Sequence, residues 1–135
     1  MGTSASLAAM PSPIDYQSFL ASKRREWTGC GIELAVSALP DGLFPFQAAL
    51  TRWALRKGRA ALFADTGLGK SRMQVAWAHK IPGRVLILAP LCVGSQTIAE
   101  AARIGVTVSP HGSGGRIEIT NYERLHQVDP SRYIG

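Results

Sequence analysis

Cysteine is scarce in this sequence: Cys30 and Cys92 are the only two, they lie far apart, and neither belongs to a metal-type or redox-type pair. That argues against a disulfide framework or a zinc site and leads us to expect a reducing compartment, the cytoplasm. Histidine is as thin, with His79, His111 and His126 in no ligand spacing. Apolar runs are short, none approaching the roughly 20 residues that a membrane span needs. The opening MGTSASLAAMPSP lacks the basic start and long apolar centre of a secretory signal. Acidic residues are outnumbered, 9 against 15 Lys and Arg, for a formal charge of +6. Such a balance favours a polyanionic partner such as nucleic acid, although a merely solvated basic face has the same composition. No internal repeat is visible.

What the sequence does have is apolar material for one ordinary domain, 46% hydrophobic over 135 residues. Its organising stretch is Arg59 to Ser71, RAALFADTGLGKS. Ala60 to Phe63 reads as a buried strand, and after Lys70 the residues Met73, Ala76 and Trp77 recur at helical spacing, so strand, loop and helix are expected in that order. Gly67 and Gly69 can take backbone angles closed to other residues, which lets N–H groups converge on an anion. The helix N-terminus adds its dipole and free donors. In a phosphate-binding loop of the pattern G-x-x-x-x-G-K-[ST], Lys70 reaches the β- and γ-phosphates and the Ser71 hydroxyl binds Mg²⁺. Ala64 stands where the strict pattern has its first glycine, a mild departure because only the later glycines must let backbone approach phosphate. The competing reading is a glycine-rich strand-to-helix turn with an incidental lysine.

Around that stretch the chain divides into three parts. Residues 1–13 are Ser- and Ala-rich, close on two prolines and are expected to be a disordered lead-in. Residues 14–42 form an extension: a helix over Asp15–Arg25 with Tyr16, Phe19 and Leu20 on one face and Lys23, Arg24 and Arg25 at its end, then a glycine-containing loop with a short strand at Ile32–Val36. Residues 43–135 hold the main domain. Pro45 opens a helix to about Arg56 with the apolar stripe Phe46, Ala49, Leu50 and Trp53, and Gly58 ends it. Strands are expected at Arg84–Ala89, Val106–Val108 and Ile117–Ile119, with a helix over Thr97–Arg103 and a turn at His111–Gly115. Strands alternating with helices imply a parallel α/β sheet covered on both faces.

Four phrases occur in a fixed order: LFPFQ, ADTGLGKS, LILAPLCV and ITNYERL. Together they resemble the first motor domain of superfamily-two helicases and translocases, especially Snf-type DNA-dependent ATPases and phage or bacterial helicase-like proteins. The likeness covers Leu43 to the C-terminus. It implies a P-loop NTPase (RecA-like) parallel sheet with flanking helices, ATP and Mg²⁺ as cofactors, and DNA as partner. It also implies that Gln47 reads the adenine edge, with Phe44 or Phe46 packing on the base, and an amide that both donates and accepts suits adenine. Thr66, Gly67, Leu68, Gly69, Lys70 and Ser71 would hold the phosphates, with Lys70 the catalytic contact and Ser71 on the metal. Ala89, Pro90 and Leu91, and later Thr120, Asn121 and Tyr122, match phrases lying beside the DNA backbone in that family.

The family's next strand carries an Asp-Glu pair and is followed by a second motor domain, whereas this sequence reaches Tyr133-Ile134-Gly135 as that strand would begin. We therefore expect an incomplete domain, the ATP-binding N-terminal portion of a helicase-like ATPase that does not turn over alone. The alternative is a non-catalytic nucleotide- or DNA-binding module that occupies a partner or competes for DNA. A kinase or GTPase would share the loop but leave LFPFQ and ITNYERL unexplained.

Overall fold

The computed structural model describes residues 13–23 and 29–135, so residues 1–12 of the expected lead-in and the basic pair Arg24 and Arg25 lie outside the described residues, while Pro13 opens a helix. In chain order the elements are α1 (Pro13–Lys23), α2 (Pro45–Lys57), α3 (Lys70–Lys80), β1 (Val85–Leu88), α4 (Gly94–Arg103), β2 (Ser109–Pro110) and β3 (Ile117–Thr120). Short 3₁₀ turns sit at Val36–Ala38, Leu91–Val93, Tyr122–Gln127 and Pro130–Arg132. The expected helix near the start is present as α1, and Tyr16, Phe19 and Leu20 on it are exposed. Residues 32–35, where a short strand was expected, carry no regular structure, though the Ile32 amide donates to the Leu55 carbonyl.

The architecture is mixed α/β, a three-stranded parallel sheet in the order β1-β3-β2 flanked by helices. Val85, Ile87, Ile117 and Ile119 share one face by register and join Val75, Ala76 and Ala78 of α3 and Ala101 of α4 in a single buried cluster. Such alternation is what a strand with one helix-covered face requires. On the other face the Glu118 carboxylate accepts from the Tyr133 hydroxyl and the Gly114 amide.

Two further strand expectations change. Among the described residues the apolar run Ala60–Phe63 joins no strand, residues 60–65 have no regular structure, and Phe63 is fully exposed. A strand exists only through a ladder to its neighbour. The outer edge of β1 is taken instead by Ile134, whose amide donates to the Arg84 carbonyl, and by Gly135, whose carbonyl accepts from Leu86. β2 likewise forms at Ser109–Pro110 rather than at Val106–Val108, whose valines are buried in the core without joining the sheet.

Helix α2 begins at Pro45, as its fixed φ favours, and stops at Gly58 with φ +78. Its buried face is Gln47, Ala48, Thr51, Ala54 and Leu55, while Phe46, Ala49 and Trp53 of the expected stripe are exposed. Small residues on the buried face let α2 lie close to α3, and both ends of the helix fix that rotation. Gln47 is tied to the loop before α3, and the carbonyls of Leu55 and Arg56 accept from Ile32 and Gly31. This last contact is tight: a Cβ on Gly31 would lie 1.8 Å from the Leu55 oxygen, and one on Gly29 2.4 Å from that of Arg56.

Candidate functional site

Residues 64–69 form the loop between that run and α3, whose first residues are Lys70 and Ser71. Gly67 and Gly69 both have positive φ, +79 and +72, so each supplies the left-handed turn that only glycine adopts without strain. Gly69 has a second reason to lack a side chain, since a Cβ there would meet Gln47 Nε2 at 2.3 Å. The side chain of Asp65 accepts from the Thr66 amide at 2.7 Å. No side chain caps α3 at Gly69, and among the described residues the amides of Gly67 through Ser71 have no partner. These are the free donors of a helix N-terminus, with the positive end of its dipole behind them.

Lys70 crosses this loop. Its ammonium donates to the carbonyls of Ala64 and Asp65, both at 2.9 Å. One of its three N–H donors stays unused. Thr66, Gly67 and Leu68 are exposed, and Ser71 is half-buried in the first turn of α3.

Gln47, expected as the adenine reader, is only 2% exposed and works as a latch. Its Oε1 accepts from the Phe44 amide at 3.0 Å, and its Nε2 donates to the Leu68 carbonyl at 3.0 Å. One amide side chain therefore caps α2 and holds the loop. Beside it the rings of Phe44 and Phe46 stack at 6.3 Å with an interplanar angle of 6°, both exposed.

Next to the loop lies a cavity of about 490 Å³. Lys70 and Ser71 border it, together with apolar walls from Ala60, Leu62, Met73 and Trp77 and with Tyr122. A second cavity, about 270 Å³, opens at the C-terminal ends of β1 and β3, where open parallel sheets bind ligands. Pro90, Leu91 and Asn121 come together there with Ser95, His111 and Arg124, while Tyr122 borders the larger cavity instead. Asn121 also has a structural task, its side chain accepting from the Arg124 amide at 3.0 Å to cap the turn that follows β3.

Sequence reading passed over Glu118, whose side chain has no exposure at all. It accepts from the Tyr133 hydroxyl and from the Gly114 amide, and the Arg84 guanidinium lies 3.2 Å away. Burial pushes this carboxyl up, but the Tyr133 hydroxyl, the Gly114 and Gly112 amides and the Arg84 charge outweigh it and hold it below its ordinary range. Burial, then the carboxylate itself, pushes the Tyr133 phenol up. The available signal was one acid inside the apolar strand IEIT.

Among the described residues no group of three His, Cys, Asp or Glu side chains could hold a metal. Neither does any helix there have the length and apolarity to cross a membrane. Neither a scan against protein-family models nor a search of curated proteins finds a match for this chain.

Proposed function

We propose that this chain is the ATP-binding portion of a DNA-dependent, helicase-like ATPase with a P-loop sheet. The observation that carries the reading is the stretch 64–71: two left-handed glycines, amides from Gly67 to Ser71 that have no partner among the described residues, and the Lys70 ammonium tied to the Ala64 and Asp65 carbonyls of the same loop. Convergent N–H donors with an ammonium suit a polyphosphate far better than a neutral ligand. Ser71 fits Mg²⁺ as one ligand beside the nucleotide's own phosphate oxygens, the usual manner of binding this ion. When bound, the ion would neutralise phosphate charge. The reading is of binding rather than turnover. Phosphoryl transfer needs an oriented water and a cation at the developing charge, and the loop's own acid, Asp65, is engaged by the Thr66 amide.

Base selection falls to Gln47 and the Phe44–Phe46 pair. Gln47→Ala should weaken ATP and GTP together by loosening the loop at Leu68, with a further loss for ATP of about 1 kcal/mol, or roughly fivefold, from the adenine contact. Competition binding of the two nucleotides tests this: equal losses would reduce Gln47 to a latch, and no ATP binding by the unaltered chain would end the proposal.

DNA contact is assigned to the surface around Pro90, Leu91, Asn121 and Tyr122, with Arg124 supplying charge. The formal charge is a modest +6, so affinity should be weak and fall with salt, log K dropping about 0.9 per log unit of salt for each duplex phosphate contact. A titration insensitive to salt, or one strongly dependent on base sequence, would remove DNA from the reading.

A further inference from the structure

The smaller cavity, about 270 Å³, is walled by residues 89 to 124, drawn from the loop after β1, the first turns of α4, the end of β2 and the turn after β3. Ala89, Pro90, Ile98 and Ile119 make much of that wall apolar. The polar groups among them are few and largely unengaged. Thr120 is only 9% exposed, and among the described residues its hydroxyl bonds to nothing. Asn121 uses its carbonyl oxygen on the Arg124 amide, which leaves its own two N–H donors open. The Nε2 of His111 is buried and likewise has no partner. Exposed Ser95 and Arg124 complete the lining, and no acidic side chain among the described residues borders it. A buried hydroxyl left unpaired costs stability until something meets it.

We infer that this cavity seats one unpaired nucleobase of single-stranded DNA, with Arg124 and Ser95 on the phosphate beside it. The inference rests on the DNA contact proposed above and adds to it the kind of strand bound. A base is a flat apolar body with a polar edge, carried on an anionic backbone. Each part has its counterpart here: apolar wall for the ring faces, the Thr120 hydroxyl and Asn121 amide for the edge, and an acid-free rim with a guanidinium for the phosphate. An isolated anion would meet Arg124 but leave the apolar wall empty, and an apolar molecule would leave Thr120 and Asn121 unpaired. In a duplex the base edges are paired and the faces stacked, so a base enters a cavity only from a single strand or after flipping out. Because a hydroxyl both donates and accepts, Thr120 finds a partner on any base edge. The preference is therefore for unpaired bases and not for one sequence.

The test titrates the whole 135-residue chain against a short fluorescent oligo-dT, the same backbone built from abasic sites, and a duplex of equal length. Oligo-dT should bind at least about tenfold tighter than the abasic strand, which carries the same phosphates, and tighter than the duplex. Thr120→Val removes a hydroxyl that holds nothing in the fold, so circular dichroism should stay unchanged while oligo-dT weakens about fivefold and the abasic strand does not. Arg124→Ala should weaken both strands alike. With 4-thiothymidine in the strand, light should crosslink it to peptides spanning 89–98 or 119–124. Equal affinity for oligo-dT and the abasic strand would overturn the base seat while leaving the phosphate contact standing. A duplex bound as tightly as oligo-dT would overturn it too, as would a Thr120→Val variant that loses nothing or crosslinks confined to other segments. Binding of no strand at all would refute the seat together with the DNA contact beneath it.

Discussion

Glu118→Ala should cost the fold about 3–5 kcal/mol, the loss seen when one partner of a buried ion pair is removed. Against a total stability of about 5–15 kcal/mol for a typical domain, that is a large share. The size follows from where Glu118 sits. Its carboxylate is wholly buried on β3 and collects the Tyr133 hydroxyl, the Gly114 amide and the Arg84 guanidinium. Truncation strands the Tyr133 hydroxyl and the Gly114 amide, removes the charge beside Arg84, and releases both the 111–116 turn and the segment that carries Ile134 to the edge of β1. Urea unfolding of the two forms measures it, and a loss under about 1 kcal/mol, the range of an exposed pair, would show that the cluster does not pin the fold. The same cluster sets a pH window. Glu118 is held below its ordinary value, so its contribution is full above the unfolded carboxyl range and is lost as pH falls through the lowered folded value. Tyr133 is raised, so its contribution is full below the unfolded phenol value of about 10 and is lost as pH climbs through the raised folded one. In Glu118→Ala the acid limb of that stability profile should flatten.

Lys70→Ala should lower ATP affinity at least about tenfold, since a charge-assisted contact contributes roughly 1.5–3 kcal/mol. Two effects add. The ammonium charge disappears from beside the phosphates, and the loop loses the two bonds that hold Ala64 and Asp65 across its mouth. Lys70 is exposed, so the variant should fold normally, and circular dichroism separates lost binding from lost structure. Calorimetry giving equal ATP affinity for both forms would contradict the phosphate-loop reading. In that event the glycines of the loop would serve only the turn into α3.

The parts legible in the sequence were those set by backbone chemistry next to the residue itself. Gly67, Gly69 and Gly58 adopt left-handed angles where the pattern required them, Pro45 starts α2, and the VLIL and IEIT runs are parallel strands. The parts that were not legible depend on what comes alongside. Ala60–Phe63 has the composition of a buried strand but no ladder to join. The stripe Phe46, Ala49, Leu50 and Trp53 is a sound amphipathic pattern, yet small Ala48, Thr51 and Ala54 win the interface because closeness to α3 decides it. In the loop, the glycines and Lys70 could be read from spacing. Gln47's bond to Leu68 joins residues far apart in sequence and could not. Glu118 escaped for the same reason, its partners Arg84 and Tyr133 being distant along the chain.

The glycine pair before α2 carries a consequence for how this gene can vary. Neither Gly29 nor Gly31 has the left-handed φ that usually explains an invariant glycine, so a scan based on backbone angles would count both as free to change. The carbonyls of Leu55 and Arg56 leave no room for even a methyl group at either place. In a saturation-mutagenesis library both codons should therefore tolerate no replacement, alanine included, whereas at Gly67, with nothing near its missing side chain, the positive φ rather than a collision is what opposes replacement. Depletion at Gly29 and Gly31 would come from collision with α2, and the only compensating changes would be ones that shift the end of that helix.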